Sequence, residues 1–239
     1  MRLNRDDDSK NLKEHFVTEM IEQILTGKLS VGQKLPSERI ISEQMGISRN
    51  VVRVGLAELT TKGFLHTEAR RGTFVNDYIR EGNLLTLEAV RSAQVPTTPL
   101  ILRSMLDFRM AISCDAAALG ARRRSEDDLV RLAKILDEQA QLNNDENETF
   151  ARLDFLYHKE IYIVSGNIVY PMIQNSIFSM HHELALAFYK ALSDKDKIKR
   201  GHCGIYNAIR DQDENGARKW MQDVLELGTE VLAKLSYFS

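Results

Sequence analysis

The chain has 239 residues, 43% of them hydrophobic and 28% charged, with a formal net charge of −2. That length holds one large domain or two ordinary ones, each with its own core, and the composition excludes disordered and fibrous proteins. No apolar run approaches the roughly 18 residues of a membrane span, and the opening Met1-Arg-Leu-Asn-Arg-Asp-Asp-Asp has no apolar signal core. Cys114 and Cys203 stand far apart in no metal or redox motif, so a cytoplasmic protein with reduced thiols is expected.

Charge is unevenly spread. From Gly27 to Asn76 there are eight Lys/Arg against four acids, a net +4, which leaves −6 on the remainder. A basic module on an acidic body suits one face meeting phosphate while the rest stays dissolved.

Apolar residues from Leu12 to Leu25 recur at helical spacing, predicting one amphipathic helix over 10–27 that ends at Gly27. After a loop, Ser37 is placed to cap a short helix with Ile40, Ile41 and Met45 on one face, and Gly46 stops it. Ser48 caps the next, whose apolar positions are Val51, Val52, Leu56 and Leu59, with Gly63 as its stop. Short strand-like runs at 64–67 and 73–75 flank Glu68-Ala-Arg-Arg-Gly72, a hairpin. A short helix near Leu84–Val90 ends before Val95-Pro-Thr-Thr-Pro99. Beyond it the pattern is helical throughout, with helices expected near 100–122, 126–142, 147–165, 168–191, 196–211 and 214–236. The fold class is therefore mainly α: an N-terminal winged helix-turn-helix domain and a C-terminal all-α bundle. The expected domains are 1–78 for DNA binding, 79–98 as linker and connecting helix, and 99–239 for ligand binding and dimerisation.

In a helix-turn-helix the second helix enters the major groove with its N-terminal residues at base edges. Those residues here are Ser48, Arg49, Asn50 and Arg53. Arg49 and Arg53 lie four apart and share a face; arginine pairs with guanine O6 and N7, asparagine with adenine. Ser48 and the open N–H groups of the first turn suit a phosphate oxygen. Arg39 would reach the backbone or a nearby base, and Arg70, Arg71 and Gly72 form the wing tip, where glycine permits close approach to a groove.

Leu35-Pro-Ser-Glu-Arg39, Met45-Gly-Ile-Ser-Arg49-Asn-Val-Val-Arg53 and Arg71-Gly72-Thr73-Phe74-Val75 together resemble the reading head of GntR-family bacterial transcription regulators. The resemblance implies that Arg39, Arg49, Arg53 and Gly72 contact operator DNA, with Asn50 and Arg71 close by. One departure stands out: the family often has an acid and then alanine after the second arginine, where this chain has Val54 and Gly55. Glycine inside a helix costs about 1 kcal/mol relative to alanine.

The helical half resembles the effector domain of the FadR branch of that family, through Arg109, Asp154-Phe-Leu-Tyr-His158, Ser165-Gly166-Asn167 and the segment from His202 to Ile209. Many members hold a divalent metal with an Asp, a His four residues on, and two later His about 22 residues apart. Asp154 and His158 at i and i+4 point from one helix face, and His202 on a later helix can complete a facial triad with open positions. The fourth position is Val224, which cannot bind metal, so a divalent ion of the Zn, Ni or Mn class at Asp154, His158 and His202 is an open expectation. The resemblance also implies an organic-acid or fatty-acyl effector, with Arg109, Tyr157 and Tyr206 as binding residues and an apolar tunnel that includes Phe155, Tyr162 and Phe178.

The expected function is sequence-specific binding of operator double-stranded DNA by a homodimer, with affinity set by a small-molecule effector in the helical domain. A two-fold protein matches a palindromic operator. No catalytic residues and no membrane partner are expected. The rival is a metal-dependent hydrolase using Asp154, His158 and His202 with an appended DNA-binding arm; against it, the chain shows no nucleophile elbow or phosphate loop.

Overall fold

Two serines set the starts of the two helices that matter most for the N-terminal unit. A computed structural model describes residues 5–92, 99–176 and 178–235, and the chain divides into compact units at Met1–Thr97 and Thr98–Ser239. In the first unit, α1 spans Arg5–Leu25, α2 Glu38–Met45 and α3 Arg49–Thr61. Ser37 Oγ accepts the amide of Ile40 and Ser48 Oγ that of Val51, satisfying donors that a helix start leaves open. Gly46 closes α2 at φ 65°, its N–H donating to Ser42 O, and the Ser42 hydroxyl donates to Ile47 O, which fixes the turn between the two helices.

Strands β1 (Leu65–Glu68) and β2 (Gly72–Val75) pair antiparallel from Leu65↔Val75 to Glu68↔Gly72. The loop before α2 joins this hairpin from the other edge of β2: Leu35 N–H donates to Thr73 O and Val75 N–H to Gln33 O. Phe16, Val17, Met20, Val52, Leu59, Phe64 and Leu65 form the core, all 5% exposed or less. Ile41 is buried but Ile40, expected on the same face, is 36% exposed. In an eight-residue helix adjacent positions lie about 100° apart, so only one of the pair meets α3. Gly55 is buried, and the Phe16 ring occupies the space its β-carbon would take. The short α4 (Tyr78–Glu81) and α5 (Leu84–Ser92) belong to this unit. Asn83 caps α5 through Leu85 N–H, and Thr86 ties it to Lys62 O.

The second unit is a bundle of α6 (Pro99–Arg123), α7 (Glu126–Ala140), α8 (Asn147–Val164), α9 (Val169–Ser176), α10 (Phe178–Ala191), α11 (Asp196–Arg210) and α12 (Glu214–Ala233). Ser125 and Asp128 form a reciprocal cap on α7, and Asp213 caps α12 through Gly216 N–H. The sequence predicts one helix over 168–191; the structure is helical over Val169–Ser176 and Phe178–Ala191, labelled α9 and α10, and Ile177 between them lies outside the described residues. Helix α6 packs on α12 and α8, and α11 on α12. The α11–α12 seam is close because Gly201 and Gly204 leave room for Val224 and the Trp220 ring, each filling the place of an absent β-carbon. Among the described residues, no helix is long and apolar enough to cross a membrane.

Candidate functional site

The first unit presents Arg39, Ser48, Arg49, Asn50, Arg53 and Arg71 as exposed residues, with Gly72 half-buried. Arg49, Asn50 and Arg53 occupy the first five positions of α3, the end a helix-turn-helix brings to base edges. Several already have partners. Arg39 grips both oxygens of Glu43 at 2.7 and 2.9 Å. Arg53 donates to Asn50 Oδ1 at 2.8 Å, so a pairing of Asn50 with adenine would require that bond to open. Arg71 pairs with Glu68 and lies over the Phe74 ring. Arg70 takes φ 64° at the wing tip, and Gly72 at φ 119° has Lys34 Cε lying where a β-carbon would point. Lys34 thus runs alongside the wing, a neighbour that sequence spacing did not reveal because it comes from the loop before α2. Lys62, counted in the basic stretch, serves elsewhere: with Lys13 it clasps Glu58, each at 2.7 Å. Burial pushes the Glu58 carboxyl up, but the two ammonium groups outweigh it and hold it below its ordinary range.

In the second unit, α8 and α11 bring Asp154, His158 and His202 together with ligand atoms all within 4.8 Å of one another, every side chain buried. His158 Nε2 and His202 Nε2 stand 3.8 and 3.7 Å from Asp154 Oδ1. Tyr189 donates to Asp154 Oδ1 at 2.9 Å, and Arg109 lies 3.5 Å from Oδ2. Burial, then the Asp154 charge, keeps the Tyr189 phenol protonated well above its ordinary range. His202 is enclosed on three sides. Tyr157 stacks on its ring at 4.5 Å and donates to its carbonyl at 2.8 Å, while Gln139 Oε1 lies 2.9 Å from Nδ1. Burial, helped by Arg109 and opposed by Asp154, lowers the His202 pKa to about 4, so the ring is neutral at pH 7. Its Nε2 is buried with no hydrogen-bond partner; an orphaned buried acceptor of this kind needs an explanation.

A narrow cleft of about 30 Å³, room for a water or two, opens beside this cluster. Arg109 and Asp154 are its charged residues, and Leu106, Leu184, Phe188 and Val224 are among its apolar walls. Val224 lies in the cleft wall against Gly201, and the adjacent Asp223 is paired outward with Lys219. Of the residues expected to meet the effector, Arg109 lines the cleft, whereas Tyr157 and Tyr206 do not. Tyr157 is fully buried beneath His202, and Phe155 and Tyr162 are core residues, because their faces of α8 turn toward neighbouring helices. The Phe178 side chain lies outside the described residues. Gln139, which with Tyr189 orients the cluster, carried no signal in the sequence: it is one more residue on an amphipathic helix.

The model for bacterial regulatory proteins of the gntR family matches residues 12–75, and that for the FCD domain matches residues 104–227. The Glc operon transcriptional activator of Escherichia coli (strain K12) is 32% identical over 206 residues, spanning 81% of this chain and 78% of that protein. The fatty acid metabolism regulator protein of Shewanella sp. (strain ANA-3) is 28% identical over 216 residues, spanning 85% and 87%. The fold is shared with Lar of Listeria monocytogenes, at TM-score 0.58 and 17% identity over 93% of this chain and 97% of that one. The reader geometry, the helical bundle and these matches lead to one assignment: the chain belongs to the GntR family of bacterial regulatory proteins and joins that family's DNA-binding head to an FCD domain.

Proposed function

We propose that this regulator binds a two-fold operator as a homodimer, and that a small carboxylate entering the cleft beside Arg109 changes its operator affinity. Family membership makes it a DNA-binding transcription regulator with a small-molecule effector in its FCD domain, and GntR-family regulators form dimers. Its relatives and structural neighbours are regulators, and the hydrolase alternative is not favoured. Arg39, Ser48, Arg49, Asn50, Arg53, Arg71 and Gly72 are the proposed DNA contacts, with base discrimination assigned to Arg49 and Arg53 and phosphate contact to the rest.

The observation that carries the effector reading is the buried Asp154–His158–His202 cluster, whose Asp154 lines a cleft that has Arg109 as its cationic side chain. The donor set fits a divalent ion of the Zn, Ni or Mn class: two imidazoles and a carboxyl group, with His202 Nε2 left without a hydrogen-bond partner. Such an ion, when bound, supplies a Lewis-acidic positive charge that attracts an oxygen anion. Arg109 would hold the other end of that anion, giving up part of its attraction to Asp154. The cleft, with room for a water or two, would have to widen to admit that anion, and its aliphatic walls would then select for ligand shape. A ligand shifts operator affinity only by its preference between DNA-competent and incompetent states.

The test begins with selection of bound duplexes from a random pool, followed by fluorescence anisotropy on the enriched sequence. A two-fold symmetric site with steep salt dependence is expected. Affinity for it should change on adding small organic acids to wild type and stay constant in Arg109→Gln. Binding without sequence preference would overturn the regulator reading. An organic-acid response that survives in Arg109→Gln would overturn the cleft as its origin.

A further inference from the structure

We propose that Gln139 is the positioning residue that decides which ring nitrogen of His202 faces the Asp154–His158 cluster, and so how tightly that cluster holds a divalent ion. The inference rests on the metal reading above and concerns a residue on a helix that contributes no ligand to the cluster.

Gln139 is in the last turns of α7 and only 2% exposed. Burying an amide requires a partner that compensates for lost water, and its Oε1 meets His202 Nδ1 at 2.9 Å. An amide oxygen only accepts, so Nδ1 carries the hydrogen and Nε2 keeps the lone pair. Nε2 is the atom that stands 3.7 Å from Asp154 Oδ1 with no hydrogen bond of its own. The opposite tautomer would place an N–H where an ion's ligand must be. The ring is held in plane as well: Tyr157 stacks beneath it, 28° from parallel, and anchors the backbone of the same residue at 2.8 Å. Gln139 therefore supplies direction and Tyr157 supplies orientation, the arrangement by which outer partners set an imidazole for a metal.

Gln139 also has an unmet group. Its Nε2 is buried without a partner, so the amide satisfies the histidine at the expense of half its own hydrogen bonding. A residue chosen only to fill the core would not carry that cost. A neutral amide accepts from Nδ1–H less strongly than a carboxylate would, leaving the imidazole a moderate donor.

Two measurements on the full-length protein test this. Two-bond ¹H–¹⁵N correlation spectra of the histidine-labelled, metal-free wild type should show His202 protonated at Nδ1. Competition of Zn²⁺ against a chromophoric chelator should show Gln139→Leu weakened about 10- to 100-fold, with Gln139→Glu at or above wild-type affinity. A merely structural role would lower the melting temperature of both variants and leave the Zn²⁺ affinity of folded protein unchanged, which overturns the proposal. A wild-type His202 protonated at Nε2 overturns it too. If Gln139→Leu does not fold, Gln139→Glu and the wild-type tautomer decide. Wild type that takes up no Zn²⁺ defeats the metal reading and this inference with it; uptake that ignores position 139 defeats this inference alone.

Discussion

Replacing Gly55 by alanine isolates a conflict between helix propensity and packing at the base of the reading helix. By propensity alone the change stabilises α3 by about 1 kcal/mol. The β-carbon it adds would collide with Cδ1 and Cε1 of Phe16. Phe16 is 1% exposed at the α1–α3 contact, so its ring has no solvent to swing into, and overpacking of this kind costs about 1–3 kcal/mol. The collision is with the body of a buried ring rather than a flexible tip, which favours the upper half of that range and a net loss of about 1–2 kcal/mol. In a unit of this size each kcal/mol lowers the melting temperature by about 4–8 °C. Calorimetry of the full-length protein should show the shift, with amide exchange assigning it to α1 and α3. Phe16→Leu removes the offending ring atoms, so the double variant should be more stable than the sum of the singles by at least about 1 kcal/mol. A Gly55→Ala protein that melts higher, or strict additivity with Phe16→Leu, would refute the reasoning.

Arg49→Ala and Arg53→Ala should each lower operator affinity about 10- to 100-fold, the cost of a lost bidentate base contact of about 1–3 kcal/mol, read by anisotropy; equal losses on unrelated duplexes would mean phosphate contact instead. Lys34→Ala should weaken all duplexes alike and flatten the salt slope by about one counterion. For metal-free protein, His202 has a folded pKa of about 4, below its ordinary 6.5. Its neutral burial therefore contributes fully above pH 6.5 and is lost as pH falls toward 4, costing about 3 kcal/mol. Urea titrations across that range should show a shallower acid slope in His202→Gln; an unchanged slope would count against a neutral buried ring. Elemental analysis should find metal retained by wild type and absent from His202→Ala, and parity between them would remove His202 from the donor set.

What the sequence displays well is what short-range chemistry controls. Ser37, Gly46 and Ser48 act within four residues of themselves, so the boundaries of α2 and α3 could be read directly, and Asp154 and His158 share a helix turn. The joining of that pair to His202 follows from the approach of α8 to α11, which spacing suggests but does not dictate. Gln139, Tyr189 and the cleft walls come from helices far apart in sequence, and their periodicity says only that they face inward. The glycines mislead for a related reason. Gly55 reads as a weak point in its helix, whereas Phe16 fills the space it leaves, as Val224 and Trp220 fill the space left by Gly201 and Gly204. Ile40 shows the limit of pattern: in α2 only Ile41 of the adjacent apolar pair is buried.

The internal partners of the reader's arginines bear on how the protein searches a genome. Arg39 is held by Glu43, Arg53 by Asn50 and Arg71 by Glu68, so in the proposed contacts a guanidinium that turns both terminal nitrogens to a duplex gives up an internal partner. A random stretch offers phosphate, which suits the roles proposed for Arg39 and Arg71, but no matching base edge for Arg53. The true site offers both. On the proposed contacts, the Arg53–Asn50 bond is the one whose loss is repaid by a base edge, so it weighs against wrong sequences more than against the right one.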